Sequence, residues 1–138
     1  MNVMIDTNVI LDDSLNRLPL AADAKIIMNM ITDGRLNGYV TANSVADIFY
    51  LTDKRLGVVI ARKAIRSLLL NLTVISIGGQ ECIDALELPI DDFEDALVVV
   101  CAENAKLDYI ISNDKGFLSQ DISVPIICPS DFLAKYER

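Results

Sequence analysis

Four aspartates in this chain stand in apolar surroundings where a carboxylate needs a reason to be. Asp6 ends the run Val3-Met4-Ile5, and after Thr7 and Asn8 the chain turns apolar again at Val9-Ile10-Leu11. Asp47 is the only charge in Val45–Leu51. Asp95 directly precedes the apolar stretch Ala96–Ala102, and Asp114 follows Tyr109-Ile110-Ile111 after the polar pair Ser112-Asn113. Buried carboxylates are costly unless they are paired or bind a metal. Packed together they also repel and raise one another's pKa. A hard divalent cation removes that problem, and oxygen-only ligands select Mg²⁺ or Mn²⁺. Such an ion activates water and stabilises in-line displacement at phosphorus. The chain has no histidine, which excludes imidazole catalysis and most zinc sites.

Each acid also has a plainer reading. Asp47 fits a narrow solvent-facing stripe on a helix. Asp92 and Asp95 fit a helix start, where a cap and first-turn acids are favoured. Asp114 fits a turn. Capping accounts for Asp92 and leaves Asp95 free. The joint pattern is the stronger one: Asp6 and Asp114 leave strand ends, and Asp95 opens the helix that leads into the strand before Asp114. If those two strands are neighbours, the three acids meet in one crevice, where open α/β sheets bind ligands.

The elements that must position them alternate between strand and helix. Val3–Ile5 reads as a buried strand. Residues 20–33 predict a helix with Ala22, Ile26 and Met30 on one face and Gly34 closing it. Tyr39–Thr41 is extended, and Asn43 or Ser44 caps a helix to about Thr52. Gly57 separates it from a third helix over Val58–Leu70. Leu72–Ile77 reads as a strand stopped by Gly78-Gly79. A short helix follows over about 80–86, then a longer one capped by Asp92 that runs to about Ala105. Asp108–Ile111 is a strand followed by a polar turn. Pro125–Ile127 is the last strand, and Ser130 or Asp131 starts a terminal helix. This order predicts an α/β fold: a three-layer sandwich around a mostly parallel sheet of four to five strands.

A length of 138 residues suits one domain with a real core. The 52% hydrophobic fraction and mean hydropathy of +0.38 are high, yet the longest apolar run, Ala96–Ala102, is far too short to span a bilayer. No secretory leader is visible, so a cytoplasmic protein is expected. The surplus apolar content predicts a doubly covered sheet or a subunit interface, and a homodimer is the expected assembly. Cys82, Cys101 and Cys128 lack motif spacing and read as buried free thiols. The net charge of −8 is segregated. No Lys or Arg occurs between Arg66 and Lys106, whereas Lys54, Arg55, Arg62, Lys63 and Arg66 cluster before that gap. Arg62 and Arg66, four apart on one helix face, are the candidate guide for a polyanion; an ordinary solvated face is the alternative.

The segments VMIDTNVIL, ADIFYL, DFEDALVVVCAENAKLDYIISNDKGF and VPIICPSDFL resemble, in order along the chain, the PIN (PilT N-terminal) domain ribonucleases. Many bacterial members are VapC-type toxins of type II toxin–antitoxin systems. The resemblance implies a divalent-metal-dependent endoribonuclease acting on single-stranded RNA and neutralised by an antitoxin protein. It makes Asp6, Asp47, Asp95 and Asp114 the catalytic acids, with Asp6, Asp95 and Asp114 as Mg²⁺ or Mn²⁺ ligands. Asn8 matches the residue that orients the first acid, Thr7 belongs to the same motif, and Ser112 replaces the usual Thr. Two departures stand out. Asp47 occupies a place usually held by Glu, and Gly116 stands where many relatives carry a further Asp, a role left to Asp92. A PIN-fold binding module with a weakened metal site is the rival. A phosphatase with an N-terminal aspartate nucleophile is a second rival, disfavoured because Asn8 stands where its second Asp would be.

Overall fold

Val3, Met4 and Ile5 form strand β1 (Asn2–Ile5), and their side chains divide between two cores: Val3 and Ile5 enter one, Met4 the other. That period-two split is what a strand covered on both faces requires. The computed structural model describes residues 1–136. After β1 come α1 (Thr7–Ser14), α2 (Ala21–Thr32), β2 (Asn37–Thr41), α3 (Ala42–Leu56), α4 (Val58–Asn71), β3 (Leu72–Ile75) and α5 (Gly79–Leu86). Then follow α6 (Phe93–Asn104), β4 (Tyr109–Ile111), α7 (Lys115–Leu118), β5 (Ile126–Ile127) and α8 (Pro129–Tyr136).

The five strands form one sheet in the order β3-β2-β1-β4-β5, and every pairing is parallel. The expected "mostly parallel" sheet is thus fully parallel. One core holds Ile10 and Leu11 of α1, Ile27 of α2, Ile48 of α3, Leu68 of α4 and Phe132 of α8. The other holds Ala85 of α5, Val99 and Cys101 of α6 and Phe117 of α7. The result is a three-layer α/β/α sandwich. The connections from β1 to β2 and from β3 to β4 run on opposite faces, so the chain reverses direction at the β1–β4 pair. The C-terminal ends of β1 and β4 therefore flank a topological switch point, the place where such sheets open a crevice.

Local packing explains where the sequence reading needs correction. The buried stripe of α2 is Ala21, Ala24, Ile27, Met30 and Ile31, with Ala22 exposed and Ile26 only half-buried. Thr41, not Asn43 or Ser44, caps α3, its Oγ1 accepting from Ser44 N at 3.2 Å. The helix runs on to Leu56 and ends at Gly57, whose φ of +91° suits only glycine. Strand β3 stops at Ile75 rather than Ile77, and α8 begins at Pro129. Cys101 is buried, but Cys82 and Cys128 are half-buried. Gly38 is packed closely for a different reason: a Cβ there would force the side-chain ends of Leu72 and Ile31 to shift. No helix of the described residues is long and apolar enough to cross a membrane.

Candidate active site

β1 and β4 pair in register, Ile5 beside Ile111, and the ladder continues one step further through Asp6 N donating to Ile111 O at 3.0 Å. The two chain ends then diverge as polar turns. Asp6 is the N-cap of α1, with Oδ1 accepting from Thr7 N at 3.0 Å. Its Oδ2 accepts from Ser112 Oγ at 2.8 Å, and that hydroxyl accepts in turn from Asp114 N at 3.0 Å. Ser112 is fully buried, so one hydroxyl ties the two strand ends together beneath the surface. Asp114 caps α7, its Oδ1 accepting from Gly116 N at 2.9 Å. Asn8 lies exposed at the rim; the hydrogen bonds that orient Asp6 come from Thr7 and Ser112.

Two helix N-termini complete the walls. Thr7 Oγ1 donates to Ser44 Oγ at 2.8 Å, which fastens the start of α1 to the start of α3. One turn along α3, Asp47 is half-buried and faces the same space. Asp92 caps α6, its Oδ1 accepting from Asp95 N at 3.0 Å. Glu94 in the same first turn reaches Asn43, whose Nδ2 donates to Glu94 Oε1 at 2.5 Å.

These groups line a cleft of about 380 Å³ that includes Asp6, Thr7, Asn8, Asn43, Asp47, Tyr50, Asp92, Glu94, Asp95 and Asp114, and no lysine or arginine. Its electrostatics follow. Burial raises the Asp6 pKa, the hydrogen bonds from Ser112 and Thr7 oppose that, and the charges of Asp114 and Asp92 add to it. Asp95 is raised from 3.8 to about 7 by burial, then by the charges of Asp92, Asp6 and Asp114. Glu94 is raised from 4.5 to about 7, first by a hydrogen bond with Asp47, then by burial and the Asp47 charge. The all-oxygen donor set suits a hard divalent cation. Among the described residues no group of three Asp, Glu, Cys or His side chains is arranged to hold an ion directly. Mg²⁺ tolerates that arrangement, since it keeps several waters and binds through one or two carboxylates.

A pH dependence of stability follows. Between pH 3.8 and about 7 the folded chain holds a proton on Asp95 that the unfolded chain has released. Stability therefore falls as pH rises through that window and stays low above it; Glu94 acts with the same sign. Both groups are partly solvated, so the melting temperature should drop by a few degrees between about pH 5 and about pH 8. Melting curves at both pH values in metal-free buffer check this; a higher midpoint at pH 8 would contradict it.

Of the residues singled out in the sequence, Asp6, Thr7, Asn8, Asp47, Asp92, Asp95 and Asp114 meet at this cleft, and Ser112 supports it from below. Arg62 and Arg66 are exposed on α4 and do not line it. Glu94 and Asn43 are members that sequence reasoning missed. Glu94 reads as an ordinary first-turn acid, and Asn43 as a cap; only their pairing across 51 positions reveals them.

These features define a fully parallel three-layer α/β sandwich with an acidic cleft at its switch point. A PIN domain model matches residues 2–116, and the chain belongs to the PIN domain family. Solved structures agree on the fold. DNA-bound VapBC from Salmonella typhimurium aligns with a TM-score of 0.71 at 14% identity, covering 94% of this chain and 98% of that one. VapBC2 from Rickettsia felis, bound to a promoter DNA fragment, gives 0.69 at 12%, covering 93% and 98%. Mycobacterium tuberculosis VapC20, a sarcin-ricin loop cleaving toxin, gives 0.68 at 15%, covering 83% and 92%. Comparison with curated proteins returns no match.

Proposed function

We propose that this chain is a divalent-metal-dependent endoribonuclease that cleaves single-stranded RNA and serves as the toxin of a type II toxin–antitoxin pair. The observation that carries the reading is the convergence of Asp6, Asp95 and Asp114, with Asp47, on one cleft at the β1–β4 switch point. A bound Mg²⁺ or Mn²⁺ would supply Lewis-acid stabilisation of phosphodiester charge and a water of lowered pKa. Asp6, Asp95 and Asp114 would hold it, completing its shell with waters. Ser112 and the Thr7 N–H aim the Asp6 carboxylate. Asp47 is one methylene shorter than the glutamate the family favours, and Glu94 beside it supplies the longer arm. The reading is tested with the purified chain, Mn²⁺ and an end-labelled single-stranded RNA. Cleavage should appear with Mn²⁺ and vanish with EDTA; no cleavage of any RNA under either condition counts against it.

An acidic cleft needs help to attract a polyanion. Lys54, Arg55, Arg62, Lys63 and Arg66 are all exposed on α3 and α4 and form the basic approach. Reversing two of them, Arg62→Glu with Arg66→Glu, should weaken RNA binding and reduce the slope of log K against log salt by about 1.4, at about 0.7 per lost phosphate contact on a single strand. An unaltered slope rules the face out.

An antitoxin partner, a homodimer and a cytoplasmic location belong to the same reading. VapBC complexes among the structural neighbours support the first. Exposed Leu56, Val58, Val59, Ile60, Leu69 and Leu70 support an apolar interface. A second reading, a PIN-fold binding module with a weakened metal site, is favoured by the lack of a preformed three-carboxylate group among the described residues. Calorimetric titration with Mn²⁺ separates the two, because the module would take up no ion.

A further inference from the structure

Asp12 is a buried acid that the proposed chemistry does not use. It lies on α1 with 3% of its surface exposed, and both carboxylate oxygens are occupied. Oδ1 accepts from Arg17 Nε at 3.0 Å, and Oδ2 accepts from Asn113 Nδ2 at 2.8 Å. Arg17 Nη2 also donates to the carbonyl of Asn8 at 3.1 Å. Neither Asp12 nor Asn113 lines the acidic cleft; both border a separate shallow pit with Arg17, Leu18 and Leu20.

The partners are what give this contact meaning. Asn113 stands between Ser112, which bonds Asp6, and Asp114, which faces the cleft. Asn8 lies two residues after Asp6. Asp12 thus reaches the polar turn after β4 through Asn113 and, through Arg17, the Asn8 carbonyl in the first turn of α1. An ion pair whose arginine side chain is 39% exposed is a poor source of stability, because solvent screens it. What it does supply is a fixed register between the groups it joins.

We infer that Asp12 is a positioning residue: through Asn113 it clamps the Ser112–Asp114 turn to α1 and fixes Asp114 relative to Asp6. The inference rests on the reading of the cleft as a metal centre. Ser112 ties the two strand ends from below, and the Asp12–Asn113 bond ties the turn after β4 to α1. With that tether gone, Asp114 is held only through Ser112 and its cap bonds to Gly116 and Phe117, and its carboxylate is less firmly set. Outer hydrogen-bond partners of this kind typically govern metal affinity by 10–100-fold.

The discriminating variant is Asn113→Ala. It removes the tether on a half-buried turn and leaves the Asp12–Arg17 pair intact; because Asp12 Oδ2 loses its partner, the variant is studied well below its melting point. Two quantities are read on the full chain: Mn²⁺ affinity by calorimetry, and amide hydrogen exchange at Asp114 and Gly116. The expected result is Mn²⁺ binding weakened about tenfold, with faster exchange at both amides and a melting temperature several degrees lower, because Asp12 Oδ2 loses its partner. Asp12→Asn, which keeps the shape but loses one acceptor, should shift both quantities in the same direction by less. An Mn²⁺ affinity within about twofold of the parent, or unchanged exchange, overturns the inference. A parent chain that binds no Mn²⁺ overturns the metal reading instead. Exchange alone then decides the clamp: faster exchange in Asn113→Ala upholds it, and unchanged exchange removes it.

Discussion

Asp6→Asn is expected to lower Mn²⁺-dependent RNA cleavage by at least about a hundredfold, about 2.7 kcal/mol of transition-state stabilisation. Asp6 sits at the centre of the cleft, bonded to both walls through Thr7 N and Ser112 Oγ. The amide keeps the side chain's shape, and its oxygen can still cap α1. What it loses is the charge that would hold the ion. The stability effect should run the other way. Burial raises the Asp6 pKa, which means the ionised form is disfavoured in the fold at neutral pH. Removing that charge relieves the cost, so the variant should melt no lower than the parent in metal-free buffer. Lost activity with retained or improved stability is the signature of a residue kept for function. Cleavage of single-stranded RNA at the parent rate by Asp6→Asn would remove Asp6 from the site and with it the proposed mechanism.

The strands and the main helices were legible because their residues obey one period at a time. Val3–Ile5 and Tyr109–Ile111 are short apolar runs, and Ala96–Ala102 is apolar all round, which identified α6 as the buried helix. The acids at their ends could be read for the same reason, since each interrupts an apolar pattern. Two helices escaped. In α1, Val9-Ile10-Leu11 is as β-branched and short as a strand, and the helix start is signalled only by Asp6 itself as N-cap. The single turn α7 lies in what reads as a polar loop, and only tertiary burial of Phe117 reveals it. Glu94 and Asp12 escaped because their meaning is a contact rather than a pattern. Asp12 meets Asn113 from 101 positions away, and no local rule anticipates that. Asp47 could be singled out because its setting is local: one charge in seven residues of an otherwise apolar stretch.

Phe117→Ala should be strongly destabilising, and it should also damage the cleft without touching it. Phe117 is fully buried in the core shared by Met4, Ile110 and α6. Emptying such a site costs about 3–5 kcal/mol, or roughly 10–20 °C in melting temperature for a domain of this size. Phe132 is the natural comparison. It is equally buried, in the opposite core, where it stacks edge-on against Tyr109 at a centroid distance of 6.0 Å. Phe132→Ala should therefore cost a similar amount. The two differ in what each side chain holds. Phe117 anchors α7, the turn that Asp114 caps through Gly116 N and Phe117 N. Without the ring, α7 has no other fully buried residue to keep it on the sheet, and Asp114 moves with it. Phe132 anchors α8, which contributes nothing to the cleft. Both variants are to be compared well below their melting points, where each is folded. Phe117→Ala should bind Mn²⁺ about tenfold more weakly than Phe132→Ala, the size of effect expected when a ligand loses its support. Equal affinities at equal stability would mean that α7 does not position Asp114.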